Sequence, residues 1–445
     1  MSLALRPRLH HQLIAAGDSR TLAQLEHLGI PSGEEPDGAV VAITLPTDAG
    51  PSRQVLAAAL IDYTLRLDPL ITEVRVSGLD GAVAEEIATR LPLEIVEPSA
   101  ARADLVVAVG ASDHADLVLD AGGWVASVGE ELAFEDGRVL NPLGPLAAAC
   151  LGTAEIFKIL FASSFPDTKG ARRFLPAAGR FSCFDYDEAH GPGLEKMRID
   201  AYLLGLGGVG AGAVRVLGGL GPHLEGGVAL IDHDRLDLTN LNRVTYATLV
   251  EAHAGGFKVH SAARHLRAMC PNLDVVPHAE EFDRFKRTLA PRRGDRRYDV
   301  LITALDDDEV RHAAQRELPR VLIDGSTGRD FNARVERVVF GEWGCLGCTR
   351  RGAPAVHDDP DGCGNIADPR APSLSFLAAF PGILAAGELV KEALGIEATL
   401  RGEFQHIFYA GPNPDLRSEP ARRADCVVGC SDTSWLDAYR KKYAA

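Results

Sequence analysis

Glycines at positions 205, 207, 208 and 210 follow directly on a short apolar run, in Tyr202-Leu-Leu-Gly-Leu-Gly-Gly-Val-Gly210. A turn stripped of side chains lets the backbone N–H groups of a helix N-terminus approach phosphate oxygens. Asp232 closes the next apolar run, Leu230-Ile-Asp-His-Asp234. It stands about 20 residues past the glycines, where a carboxylate accepts ribose hydroxyls. Asp234, Asn240 and Arg243 lie in the loop that follows, Lys258 opens a helix-like stretch, and Asp306 comes just after the apolar run Val300–Ala304. Two cations and an amide beside a phosphate cradle neutralise a triphosphate, and a carboxylate at the end of a strand holds Mg²⁺. Each residue also has a plainer reading. The glycines alone would serve a dinucleotide equally, and Arg243 or Lys258 alone would be solvated surface charge. Asp306 heads an acidic trio with Asp307 and Asp308, in which Asp307 is an alternative metal ligand and the trio an alternative helix cap.

The cysteines form a second group. Cys345-Leu-Gly-Cys348 and Cys426-Val-Val-Gly-Cys430 are two close pairs, the pattern of a tetrahedral Cys₄ zinc site with a structural role. The plainer reading uses one pair for metal and leaves the other incidental. Cys363, in Asp361-Gly-Cys-Gly364, sits in a polar segment where a nucleophilic thiolate would need a lowered pKa. Arg350, Arg351 or His357 would be the source of that charge. Cys150, Cys183 and Cys270 stand in apolar or helical contexts and are expected to be inert.

These residues need a frame that gathers them at one edge. From about 200 to 330, short apolar strands alternate with helices: Tyr202–Leu206, Val228–Asp232, Leu273–Pro277, Tyr298–Ala304 and Val321–Gly325 are strand candidates, and Ala211–Gly219 and Lys258–Cys270 are helical. That order implies a Rossmann-like α/β fold, a mostly parallel sheet with helices on both faces, whose carboxyl edge carries the ligand. The first 165 residues repeat the order in weaker form, ending like the second half in an apolar helix: Leu146–Leu160 against Phe376–Leu394, the latter containing Pro381. The halves read as diverged copies, against the alternative of two domains sharing only general architecture. Where the second copy has its glycine turn, the first has Thr44-Leu-Pro-Thr-Asp-Ala-Gly-Pro51, so it is expected to be blind to nucleotide. The expected organisation is an N-terminal helical extension (1–38), a degenerate Rossmann-like domain (39–165), a linker (166–199) and a nucleotide-binding domain (200–445) with a long loop at 349–372.

Composition narrows the function classes. At 445 residues the chain exceeds one ordinary core, which favours two domains or three. A formal charge of −16 opposes binding to nucleic acid or an anionic membrane. No basic-then-apolar leader and no uninterrupted apolar run of about 18 residues are evident, so a cytoplasmic protein is expected. The basic run between Arg284 and Arg297 reads as a solvated loop or as a docking patch for an acidic partner.

Taken jointly, Gly205-Leu-Gly-Gly-Val-Gly210, Asp232-His-Asp-Arg-Leu-Asp-Leu-Thr-Asn-Leu-Asn-Arg243, Gly256-Phe-Lys258 and Ala304-Leu-Asp-Asp307 resemble the ubiquitin-activating-enzyme-like superfamily of ATP-dependent adenylyltransferases, the ThiF–MoeB–HesA group. The resemblance covers about residues 170–430. It implies ATP as substrate and Mg²⁺ as cofactor, with Asp232 on the ribose, Asn240, Arg243 and Lys258 on the phosphates and Asp306 on the metal. The implied reaction is attack by a substrate carboxylate on the α-phosphorus, giving an acyl-adenylate and pyrophosphate. The implied substrate is the C-terminus of a small carrier protein or peptide, activated for sulfur transfer, thioester formation or cyclisation. The family also implies Zn²⁺ on two CxxC pairs, from which CxxxC at 426–430 departs, and in some members a covalent role for a cysteine placed like Cys363. An Arg-aromatic-x-Arg motif whose second arginine reaches a neighbouring ATP is only half present, because Arg180-Phe-Ser-Cys183 ends in cysteine. Arg6 and Arg8 are candidate replacements from the first half, in either a homodimer or an internal pseudodimer. The rival readings are an NAD-dependent dehydrogenase using the same glycines and a non-catalytic partner-binding scaffold.

Overall fold

A computed structural model describes residues 2–9, 38–79, 81–98, 102–134, 136–161, 179–288, 299–328, 332–350, 374–408 and 415–443. Its strands are β1 Ser2–Pro7, β2 Ala39–Thr44, β3 Ile71–Ser77, β4 Leu93–Val96, β5 Leu105–Val109, β6 Leu117–Gly122, β7 Val125–Val128 and β8 Gly179–Ser182 in the first half. The second half contributes β9 Met197–Leu204, β10 Leu224–Ile231, β11 Leu273–His278, β12 Val300–Thr303, β13 Val321–Gly328, β14 Asn332–Val338, β15 Gly402–Ile407 and β16 Asp415–Ser418. The helices are α1 Pro51–Leu65, α2 Gly81–Arg90, α3 Leu143–Phe161, α4 Gly208–Leu220, α5 Leu249–Ala254, α6 Lys258–Met269, α7 Phe282–Thr288, α8 Asp308–Arg316, α9 Leu346–Thr349, α10 Ser375–Ala393 and α11 Thr433–Tyr443.

The strands form two sheets, ordered β4-β1-β3-β2-β5-β6-β7-β8 and β11-β10-β9-β12-β13-β14-β15-β16. In the first, β3, β2, β5 and β6 run parallel, and in the second β11, β10, β9, β12 and β13 do, with antiparallel strands extending each sheet. The parallel strands carry apolar residues on both faces because helices cover both sides. β12, for example, is buried at every position.

Several expectations are corrected. Residues 2–7 are a strand rather than part of a helical extension; β1 pairs antiparallel with both β3 and β4. The span 166–199 is not only a linker, since β8 pairs with β7 and closes the first sheet. The apolar run Gly123–Val128, which the sequence also offers as a strand, supplies β7, the second arm of a hairpin whose first arm, β6, was not anticipated. Finally, α3 is long and apolar enough to cross a membrane by length and composition (Leu143–Leu160), although Glu155 and Lys158 interrupt its apolar run. It is 83% buried within the fold and serves as a core helix.

The two halves share one core. α10 packs on α4 in the second half and on α3 in the first. The α4–α10 contact runs backbone against backbone: a Cβ on Gly212 would stand 2.1 Å from the Ala379 carbonyl oxygen, and one on Gly382 would collide with that of Val209. One hydrophobic cluster extends from Leu5 in the first half to Phe408 in the second.

Candidate functional site

β9 ends at Leu204 and the chain turns sharply at Gly205, with φ +94° and its N–H donated to the Ile231 carbonyl at 2.9 Å. Side chains are excluded at Gly205 and Gly210, where a Cβ would meet the carbonyl oxygens of Ala304 (2.4 Å) and Gly205 (2.2 Å). Gly207, the N-cap of α4, is different, because a Cβ there would meet nothing within 4 Å. Packing therefore requires glycine on either side, while Gly207 faces open space at a helix N-terminus whose first turn carries no acid. This is the arrangement for anion binding by free N–H groups and the positive end of the helix dipole.

Asp232 follows β10 and accepts from the Leu206 N–H (2.6 Å) and the Asp234 N–H (2.8 Å). Burial raises its pKa, against the opposing pull of Lys258 and those two N–H groups. Asp234 sits further out. Burial would raise its carboxyl too, but Lys258, with Nζ at 2.6 Å, holds it below the usual range. Lys258 is the first residue of α6, and its own N–H donates to the Asp234 carbonyl at 3.0 Å.

Between them, Leu238–Asn242 forms a 3₁₀ turn closed by a capping box. Asp237 accepts from the Asn240 N–H at 3.0 Å, and Asn240 Oδ1 accepts from the Asp237 N–H at 3.3 Å. Arg243 donates to the Thr239 carbonyl at 3.1 Å and to Asn242 Oδ1 at 2.8 Å. Its stem lies beside the cradle, 3.4 Å from where a Gly208 Cβ would stand. Tyr246, which the motif reading missed, pins this loop inward by donating its hydroxyl to the Leu206 carbonyl at 2.6 Å.

The acidic trio divides its roles. Asp307 caps α8, accepting from the Glu309 N–H at 2.7 Å. Asp308 pairs with Arg311 at 2.7 Å. Asp306 is exposed and has no hydrogen-bond or ion-pair partner among the described residues. The loop that carries it is held from below by Arg311, which donates to the Leu305 carbonyl and reaches the fully buried Asp324 at 2.9 Å. Arg350 meets the same carboxylate at 2.5 Å and Ser326 Oγ at 2.6 Å. The Arg350 side chain, 10% exposed, is held against these partners. Cys363, Arg351, His357 and the rest of 351–373 lie outside the described residues.

The Sγ atoms of Cys345, Cys348, Cys426 and Cys430 all lie within 4.8 Å of one another. Separations of 3.5 Å (345 to 426), 3.4 Å (348 to 430) and 4.0 Å (345 to 348) suit a tetrahedral ion with bonds of about 2.3 Å to sulfur, which sets sulfurs about 3.8 Å apart. The unusual CxxxC spacing is absorbed by a turn: Gly429 has φ +84° and donates its N–H to the Cys426 carbonyl at 3.0 Å. Burial would raise the Cys426 thiol, but the N–H groups of Cys430 and Val428 hold it down at about 7. Cys150, Cys183 and Cys270 are buried, and burial raises each thiol, that of Cys183 to about 12.

The first half's equivalent edge is closed. The last parallel pairs are Thr44 with Ser77 and Leu204 with Ile231, so Leu45 stands where Gly205 does and Gly78 where Asp232 does. A Cβ at Gly78 would collide with the Leu45 carbonyl. The N-terminus of α1 is filled from within, because Asp136 accepts from the Ser52 N–H (3.3 Å) and its hydroxyl. Arg6 and Arg8 pair with Glu73 (2.8 Å) and Glu94 (2.7 Å), and Arg180 with Glu130 (2.9 Å). All three pair with acids of the first half.

With the geometry in hand, comparison with known proteins places the chain. The chain is 28% identical over 261 residues to "Adenylyltransferase and sulfurtransferase uba4" of Aspergillus terreus, covering 54% of this chain and 49% of that one. It is 26% identical over 250 residues to "Adenylyltransferase and sulfurtransferase MOCS3" of Aedes aegypti, covering 55% and 52%. Among solved structures, E. coli MccB with ATP aligns at 18% identity with a TM-score of 0.40, over 54% of this chain and 68% of that one. The chain spans about half the length of the curated relatives it matches. The model of the ThiF family matches residues 187–428, more than half of the sequence and every site residue from Gly205 to Asp306, and the chain belongs to that family.

Proposed function

We propose that the protein is an ATP-dependent adenylyltransferase that activates a carboxylate, the C-terminus of a small carrier protein or a peptide. The observation that carries this reading is the convergence of the Gly205–Gly210 cradle, Asp232, Asn240, Arg243, Lys258 and Asp306 at the carboxyl edge of one parallel sheet. Asp232, oriented by two backbone N–H groups, accepts ribose hydroxyls. The α4 N-terminus, Arg243, Lys258 and the Asn240 amide neutralise the phosphates. The substrate carboxylate oxygen bonds to the α-phosphorus while the α–β bridging P–O bond breaks, and its electron pair leaves on pyrophosphate. Arg243 and Lys258 counter the charge that develops on that leaving group. Asp306 is the group placed to hold Mg²⁺, which supplies further charge neutralisation when bound. Nothing in this chemistry needs a covalent protein intermediate, so Cys363 belongs, on this reading, to a later acyl or sulfur transfer.

The four clustered cysteines hold Zn²⁺ as a structural ion. The first half, with the same order over six strands and a shared core, stands in for the second protomer of a symmetric dimer, so one chain is an internal pseudodimer with a single site. A dehydrogenase reading leaves Asn240, Arg243, Lys258 and Asp306 without a task. The test is ATP–pyrophosphate exchange across peptides and small carrier proteins with free C-termini. Exchange dependent on one such carboxylate supports the reading, whereas tight binding of NAD(H) with no ATP binding would overturn it.

A further inference from the structure

The first half lacks a usable cradle yet touches the site through a buried ionic cluster. Asp62 of α1 is fully buried and pairs with Arg66 of the same helix at 2.9 Å. It also pairs with Arg215 of α4 at 2.6 Å, and with Arg90 at the end of α2 at 3.8 Å. Arg66, itself fully buried, extends across the boundary between halves and donates Nη1 to the carbonyl of Leu241. Arg90 Nη1 donates to the carbonyl of Thr245 at 3.4 Å. Leu241 lies between Asn240 and Arg243, and α4 is the helix that starts at the cradle. One carboxylate of the first half thus anchors both parts of the site at once.

We propose that Arg66, held by Asp62, is a positioning residue that sets the Asn240–Arg243 loop against the cradle, so that the nucleotide-blind half is required for gripping phosphate. The proposal rests on the nucleotide reading of the second half. It follows from geometry: the loop's inner side is tied to the cradle by Tyr246, and its outer side is tied to Arg66. A buried guanidinium bonded to a carbonyl fixes that carbonyl's direction, and removing it leaves the carbonyl unpaired in the interior. The side chains of Asn240 and Arg243 would then lose their aim, while Asp232 on the other side of the cradle keeps its two N–H donors.

The experiment compares two ligands on the full-length protein. Binding of AMPPNP with Mg²⁺ is measured by calorimetry, and binding of adenosine, which has no phosphate, by ligand-observed NMR titration. In Arg66→Met, AMPPNP should bind about tenfold or more weakly, with adenosine affinity within about twofold of wild type. Parallel loss of both ligands would mark a merely structural residue and overturn the proposal, as would unchanged AMPPNP binding. If Arg66→Met does not fold, Arg66→Lys takes its place with the same outcomes, since one ammonium cannot reproduce the planar fork that spans Asp62 and Leu241. A wild-type protein that binds adenosine and AMPPNP equally poorly would instead sink the nucleotide reading itself.

Discussion

At the scale of single residues, the site is a balance of a few charges around one helix N-terminus. Asp306 is the trio's member with no partner among the described residues, while Asp307 and Asp308 are committed to a cap and an ion pair. Asp306→Ala should therefore reduce ATP–pyrophosphate exchange by about 100-fold or more, and Arg243→Ala by a similar factor, with the fold intact by circular dichroism. Asp307→Ala should act on stability, costing about 1 kcal/mol through a lost cap. Exchange that survives Asp306→Ala but fails in Asp307→Ala would reverse the two roles. Much of this was legible in the sequence because the family's residues fall in four short stretches, where spacing alone constrains geometry. The partners that aim them were not. Tyr246, Arg311, Arg350 and Arg66 act across 40, 13, 26 and 175 positions of chain, and nothing local marks a side chain that will be buried against a distant carbonyl or carboxylate.

At the scale of elements, the parallel strands of the second half were readable, whereas β1, β8 and β14 were not. β12, Val-Leu-Ile-Thr, is buried throughout and apolar at three of its four positions. β14, Asn-Ala-Arg-Val-Glu-Arg-Val, buries Glu336 and Arg337 beside their ion partners, so its sequence looks like a surface. β1 and β8 are short, and their pairing partners are remote in sequence.

The cysteine cluster is the element that fixes the C-terminal segment. α11 has no buried residue and is held by hydrogen bonds such as Tyr439 to the Arg320 carbonyl (3.0 Å) and Lys442 to the Leu318 carbonyl (2.9 Å). Purified protein should contain one zinc per chain by elemental analysis. Cys430→Ser should abolish that zinc and raise hydrogen exchange across 433–443 before it affects β9 to β13. Protein without zinc but with unchanged exchange there would contradict the assignment.

Helix α6 also carries a pH signature. His265 is held down at about 4 by burial first and then by Arg90 and Arg215, against an ordinary value of 6.5. The unfolded chain binds more protons than the fold between those pH values. The stabilising contribution is complete above about 6.5 and is lost as pH falls towards about 4. Urea midpoints should decline from pH 7 to pH 4.5, and His265→Gln should flatten that decline; an identical slope in the variant would remove His265 as its source.

At the scale of the whole molecule, the chain is two sheets that share the order of six strands around one core, of which only the second keeps an open cradle. The duplication was visible in the order of apolar segments. The reason for the first half's blindness was visible only in part: prolines mark the altered turn, but its closure depends on Asp136 entering the α1 N-terminus from 84 residues away and on the Leu45 carbonyl crowding Gly78. The measurement that tests the central claim most directly is calorimetric titration of the full-length protein with AMPPNP and Mg²⁺. The account predicts one nucleotide per chain, with binding lost in Arg243→Ala and unaffected by Arg53→Ala at the α1 N-terminus of the first half. Two nucleotides per chain, or one that persists in Arg243→Ala, would contradict it.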